Sequence, residues 1–97
     1  MGAVTKLLAR IGTTGREIKV SGRNAWMLNE LVKAGPAGVS PLDASPAMRV
    51  AHYVFRLRRE GVAIETVDEK HGGTFSGVHA RYRLLVPVEI LAKEEAA

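Results

Sequence analysis

The sequence predicts a small α+β domain in which helices precede a β-hairpin, and three observations carry that reading. Residues 46–60 hold a strong helical periodicity, and residues 62–67 and 80–86 alternate apolar and polar side chains as two paired strands do. The chain has 97 residues and no cysteine, which fits one domain held by a modest core with no disulfide framework.

The elements follow in order. Val4, Leu7, Leu8 and Ile11 fall at i, i+3, i+4 and i+7, one face of a short helix that Thr5 caps and Gly12 ends. Two turns do not persist alone in water. Residues 1–15 are therefore expected as an N-terminal arm or short helix, docked on its own domain or reaching a second copy in a homodimer. Arg16 to Val20 alternates as a short strand, with Ile18 and Val20 on one side. The first strong helix runs from Arg23 to Ala34 with a stripe of Ala25, Leu28, Leu31 and Val32, flanked by Trp26 and Met27, and Gly35-Pro36 stops it.

Ser40-Pro41-Leu42-Asp43 begins a second helix with a capping-box-like pattern. Ser45-Pro46 repeats the cap-plus-proline signal so soon that this helix holds little more than one turn. A third helix, Pro46 to Glu60, places Ala47, Val50, Val54 and Leu57 within an arc of about 80° at 100° per residue. Gly61 supplies its stop. Val62, Ile64 and Thr66 then point one way along a strand, and Ala80, Tyr82, Leu84 and Val86 share a face of the next. Asp68 to His79, with Gly72, Gly73 and Gly77, reads as a loop of twelve residues between them. Val88, Leu91 and Ala92 suggest a last helical turn or two. Residues 88–97 are thus a C-terminal tail or short helix beyond a domain at 16–87. This is the order of a winged helix-turn-helix: a three-helix core, its second helix short, with a two-stranded β-hairpin wing.

The net charge of +4 is unevenly spread. Residues 1–60 carry ten Lys and Arg against four acids, and residues 61–97 carry four against six. A basic first part points to a polyanionic partner. Its sharpest expression is the third helix, where Arg49, His52, Tyr53 and Arg56 are expected on an exposed face opposite the core stripe, with Glu60 as the lone acid at the far end. Forked guanidinium groups there suit guanine O6 and N7 or a phosphate, and amides near Ser45 suit a phosphate. Lys70 and His71 in the loop, and Arg23 with Arg16 and Lys19 upstream, are further candidate contacts. Other residues have structural readings. Arg58 lies near the core edge, where an ion pair or a carbonyl contact suits it, Phe55 is expected in the core, and Arg81 and Arg83 balance Glu65 across the ladder.

The segments Gly22-Arg23-Asn24-Ala25-Trp26, Gly38-Val39-Ser40-Pro41-Leu42-Asp43 and Tyr53-Val54-Phe55-Arg56-Leu57-Arg58-Arg59-Glu60-Gly61 resemble small bacterial and prophage winged-helix proteins. So do Ile64-Glu65-Thr66, His71-Gly72-Gly73 and His79-Ala80-Arg81-Tyr82, and the likeness spans about residues 18–86. It implies a protein that binds double-stranded DNA through its third helix and wing, as a small transcriptional regulator or accessory factor. The alternative is a winged helix that docks a protein partner, as an adaptor or inhibitor from a mobile element, because fold does not fix function.

Catalysis, cofactors and metals are not expected. The sequence has no nucleophile elbow, phosphate loop or paired carboxylates, and His52, His71 and His79 lack the spacing of zinc ligands. No run approaches 18 apolar residues, and the first residues show neither a signal peptide nor a myristoylation pattern. A cytoplasmic protein without membrane association is the expectation.

Overall fold

A helix covered from two sides organises the domain in the computed structural model, which describes residues 4–12, 14–41, 49–71 and 77–96, with backbone alone at 71 and 77–79. This helix, α1 (Arg23–Ala34), forms where predicted. Its residues are good helix formers with a single β-branched side chain, and glycines of positive φ, Gly22 and Gly35, bound it. Ala25, Met27, Leu28 and Leu31 are completely enclosed. Met27, expected at the flank, is as buried as the stripe itself because α1 packs on a sheet on one side and on a second helix on the other.

The sheet corrects two expectations. Residues 4–11, read as a short helix or arm, form strand β1 (Val4–Ile11), and residues 88–95, read as a tail or short helix, form strand β5 (Val88–Glu95). With β2 (Glu17–Ser21) they make an antiparallel sheet in the order β2-β1-β5. The physical reason for the first error lies in a bulge. Leu7, Ala9 and Ile11 point into the core at strand spacing, and an irregularity between Val4 and Lys6 turns Val4 to the same face. A bulged strand thereby places i and i+3 together, which imitates a helical period, whereas Leu8 faces outward and only half buried. In β5 a second irregularity, where Leu8 pairs Ala92 and Ala9 pairs Ile90, skips Leu91 and breaks the alternation there. Ile18 and Val20 of β2 are buried as predicted.

Beyond α1 a 3₁₀ turn (Gly35–Ala37) leads to Gly38 and Val39. Val39 exchanges backbone hydrogen bonds of 2.7 and 2.8 Å with Tyr82, which anchors the hairpin to the chain between the helices. Gly38 has φ 70° and ψ −176°, a region essentially reserved for glycine, and a Cβ there would stand 2.5 Å from the Tyr82 carbonyl oxygen. Gly38→Ala is therefore expected to destabilise the domain by about 2–4 kcal/mol. Chemical denaturation checks this, and an unchanged midpoint would refute the close approach.

The second long helix, α2 (Val50–Arg59), buries Val50, Val54 and Leu57, the predicted stripe. It starts later than the expected Pro46. Arg49 is its N-cap in the left-handed region (φ 50°, ψ 54°), so a continuous helix from 46 to 60 does not form. Among the described residues there are two α-helices in place of the expected three. Most of the short second helix, with Ser45 and Ala47, falls outside the described residues.

The hairpin is longer than predicted. Strands β3 (Ile64–His71) and β4 (Gly77–Leu84) pair in register from Ile64↔Leu84 to His71↔Gly77, leaving residues 72–76 between them in place of a twelve-residue loop. The ladder continues past Val67 although Asp68, Glu69, Lys70 and His71 carry no apolar alternation, since backbone pairing needs none. Val62, Ile64 and Tyr82 close the core from this side. No helix among the described residues is long and apolar enough to cross a membrane.

Candidate nucleic-acid interface

The exposed surface of α2 follows from its buried one. Val50, Val54 and Leu57 define the inward direction, and at 100° per residue His52 and Arg59 lie nearly opposite, with Phe55 and Arg56 about 130° away. Ala51, His52, Phe55, Arg56 and Arg59 are all exposed. Val50–Arg59 contains no acidic residue; Glu60, exposed at the C-cap, makes no ion pair with Arg56 among the described contacts. The helix thus presents an uncompensated cationic face.

Two aromatic expectations are corrected here. Tyr53 is half-buried and packs against the core at the edge of the stripe, with its ring edge-on to His52 at 5.1 Å. Phe55, expected in the core, is 56% exposed and carries the Arg59 guanidinium 5.8 Å from its ring centroid. The angles already contained this result. Phe55 and Arg59 sit farther from the apolar arc than Tyr53 does. Arg59 is the cation that sequence reasoning missed.

The remaining residues sort by what they touch. Arg58 donates to the Ile64 carbonyl oxygen from Nη2 at 2.8 Å and to Thr66 Oγ1 at 2.7 Å, tying the end of α2 to the base of the hairpin. That is the carbonyl contact expected of it, and it removes Arg58 from the open face. On the hairpin, Arg83 Nε lies 2.5 Å from Glu65 Oε2 and Arg81 Nε 2.7 Å from Glu69 Oε1. Hydrogen bonding by Glu65, and then its charge, raise the Arg83 pKa above its ordinary value. Both arginines have structural partners. Lys70 is exposed near the hairpin tip, and His71 closes the ladder opposite Gly77.

The upstream basic group is divided by the fold. Arg16 reaches the end of α2, where a Cβ on Gly61 would lie 2.9 Å from its Nη1. Lys19 and Lys6 lie on the outer surface of the sheet, away from the core and α1. Arg23 is exposed at the first turn of α1. Arg49 is exposed beside the first turn of α2 but off the helix, so its direction is set by the left-handed backbone and not by the helical period. Ser45 lies outside the described residues. No cluster of three or more His, Asp or Glu that can hold a metal occurs among the described residues.

Strand, helix, extended bridge, helix and paired hairpin, with an acid-free helix face beside the hairpin base, agree with a match to the family model for the winged helix domain over residues 17–94. Comparison with curated proteins and with solved structures gives no match. The matched range includes β2 and nearly all of β5, so the last strand is part of the family's unit. The fold suggests DNA binding in general, and the chain belongs to the winged helix domain family.

Proposed function

We propose that this chain is a non-catalytic protein that binds double-stranded DNA, with the exposed face of α2 in a major groove and the β3–β4 hairpin beside the flanking backbone. Its role is that of a small transcriptional regulator or accessory factor. The observation that carries this reading is the acid-free face of His52, Arg56 and Arg59 on α2, which packs chiefly on α1 among the described elements. Arginines on such a face pair with guanine edges or phosphates, and the exposed Lys70 and Arg49 are assigned sequence-independent phosphate contacts.

A duplex titration at several salt concentrations tests the reading. Neutralisation of about four phosphates by Arg49, Arg56, Arg59 and Lys70 gives a slope of log K against log salt of about −3 to −4. Absence of association at low salt would remove the proposal. Selection of bound fragments from random DNA would also separate a monomer on a single site from a homodimer on two half-sites.

A second reading, docking of a protein partner, draws on Leu85, which is 60% exposed beside a groove lined by Val32, Pro36, Leu84, Val86 and Val88. It predicts a defined complex that survives nuclease treatment and is lost on Leu85→Glu.

A further inference from the structure

An exposed aromatic ring beside a cationic line on the same helix forms a mixed apolar and charged surface. The exposed surface of α2 consists of two parallel lines. Arg56 and Arg59, with His52 between them in angle, form a cationic one, and Ala51 and Phe55, one turn apart, form an apolar one beside it. Phe55 contributes little to the core at 56% exposure, and Arg59 sits over its ring, so the ring is held at the surface against one guanidinium.

We propose that the Ala51–Phe55 line reads the C5-methyl groups of thymine, so that the partner is thymine-bearing DNA and not RNA or uracil-containing DNA. This inference rests on the duplex-binding reading above. In a major groove the thymine methyl is the one apolar feature on the base edges, and alanine and phenylalanine are side chains that meet it. The neighbouring cationic line then faces guanine acceptors or the phosphates that bound the groove. A protein surface docking on Phe55 has no comparable need for the acid-free cationic line beside it.

The test begins with the full chain and duplexes selected from a random pool. The expected sites contain thymine at fixed positions. Replacing those thymines by uracil should weaken wild-type binding about fourfold per methyl removed, the value of one buried methyl-sized group. Phe55→Ala should bind the thymine duplex several-fold more weakly and lose most of the discrimination against the uracil duplex, whereas Phe55→Leu should retain more of it. Thermal unfolding of both variants should match the wild type, because the ring is largely outside the core. Equal wild-type affinity for thymine and uracil duplexes, with binding intact, overturns this inference and leaves duplex binding standing. Discrimination that is undiminished in Phe55→Ala overturns it as well. Failure to bind any duplex overturns both readings together.

Discussion

Replacing Arg56 and Arg59 together by glutamate is expected to lower duplex affinity on the order of 10³-fold at about 0.1 M salt. The magnitude follows from counterion release. Each phosphate neutralised contributes about 0.9 to the salt slope, so at about 0.1 M each unit of charge is worth close to tenfold. Two reversed charges amount to about four units, of which about three remain after solvent screening of exposed side chains. The salt slope should fall at the same time, since fewer counterions are displaced. Stability should change little, because both side chains are exposed and make no hydrogen bond or ion pair among the described contacts; Arg59 has only the Phe55 ring. Acids in the last turn oppose the helix dipole, at a cost of about 1 kcal/mol. Electrophoretic or fluorescence titration alongside thermal unfolding separates the two effects. A folded double variant that binds as the wild type does would show that α2 is not the contact surface.

The second large effect concerns the end of the chain. Deleting residues 88–97 is expected to remove about 3–6 kcal/mol of stability from a domain whose total is about 5–15 kcal/mol. Strand β5 is the partner of β1 from Val4↔Glu95 to Ile11↔Val88, and Val88, Ile90 and Leu91 are half-buried on it. Its loss exposes those contacts and strips β1 of one row of hydrogen bonds, leaving β1 at the edge of a two-stranded ribbon. The polar end of the strand is a control. Alanine at Lys93, Glu94 and Glu95 should cost under about 1 kcal/mol, since their ion pairs with one another and with Lys6 are solvent-exposed. A frayed helical turn at this position would instead be deleted at almost no cost. Urea unfolding of the truncated chain therefore distinguishes the two, and a midpoint equal to the full chain's would contradict the strand.

Both experiments rest on features that differed in their legibility. The core stripe of α2 was readable because Val50, Val54 and Leu57 have no strand-like alternative spacing, and Gly61, with φ 97°, ends the helix as expected. The Arg83–Glu65 pair was readable because both residues fall on the outward face of an alternating ladder. Much of the candidate interface was visible as well, in His52 and Arg56, while the exposure of Phe55 and Arg59 was not drawn from the helical angles that carry it. Arg49 was placed by extending the helical period to a residue whose left-handed backbone lies outside it. Arg16 and Lys19 are three residues apart in sequence, yet one reaches the end of α2 and the other the far side of the sheet.

The sequence by itself determined the α+β class, both described helices with their inward faces, the hairpin's strands and the cationic character of the α2 surface. These follow from local periodicity and from glycines that stop a helix whatever surrounds it. Only the tertiary structure decided that the two ends of the chain are strands of one sheet. For Val4–Ile11 the helical and the bulged-strand spacings coincide, and an eight-residue segment has too little intrinsic preference to choose between them. The choice is made by the partners: β2 and β5 satisfy the backbone of β1 on both sides, and α1 covers its apolar face. The hairpin reaches to His71 and Gly77 for the same reason, since a backbone ladder depends on the opposite strand and leaves no trace in side-chain pattern.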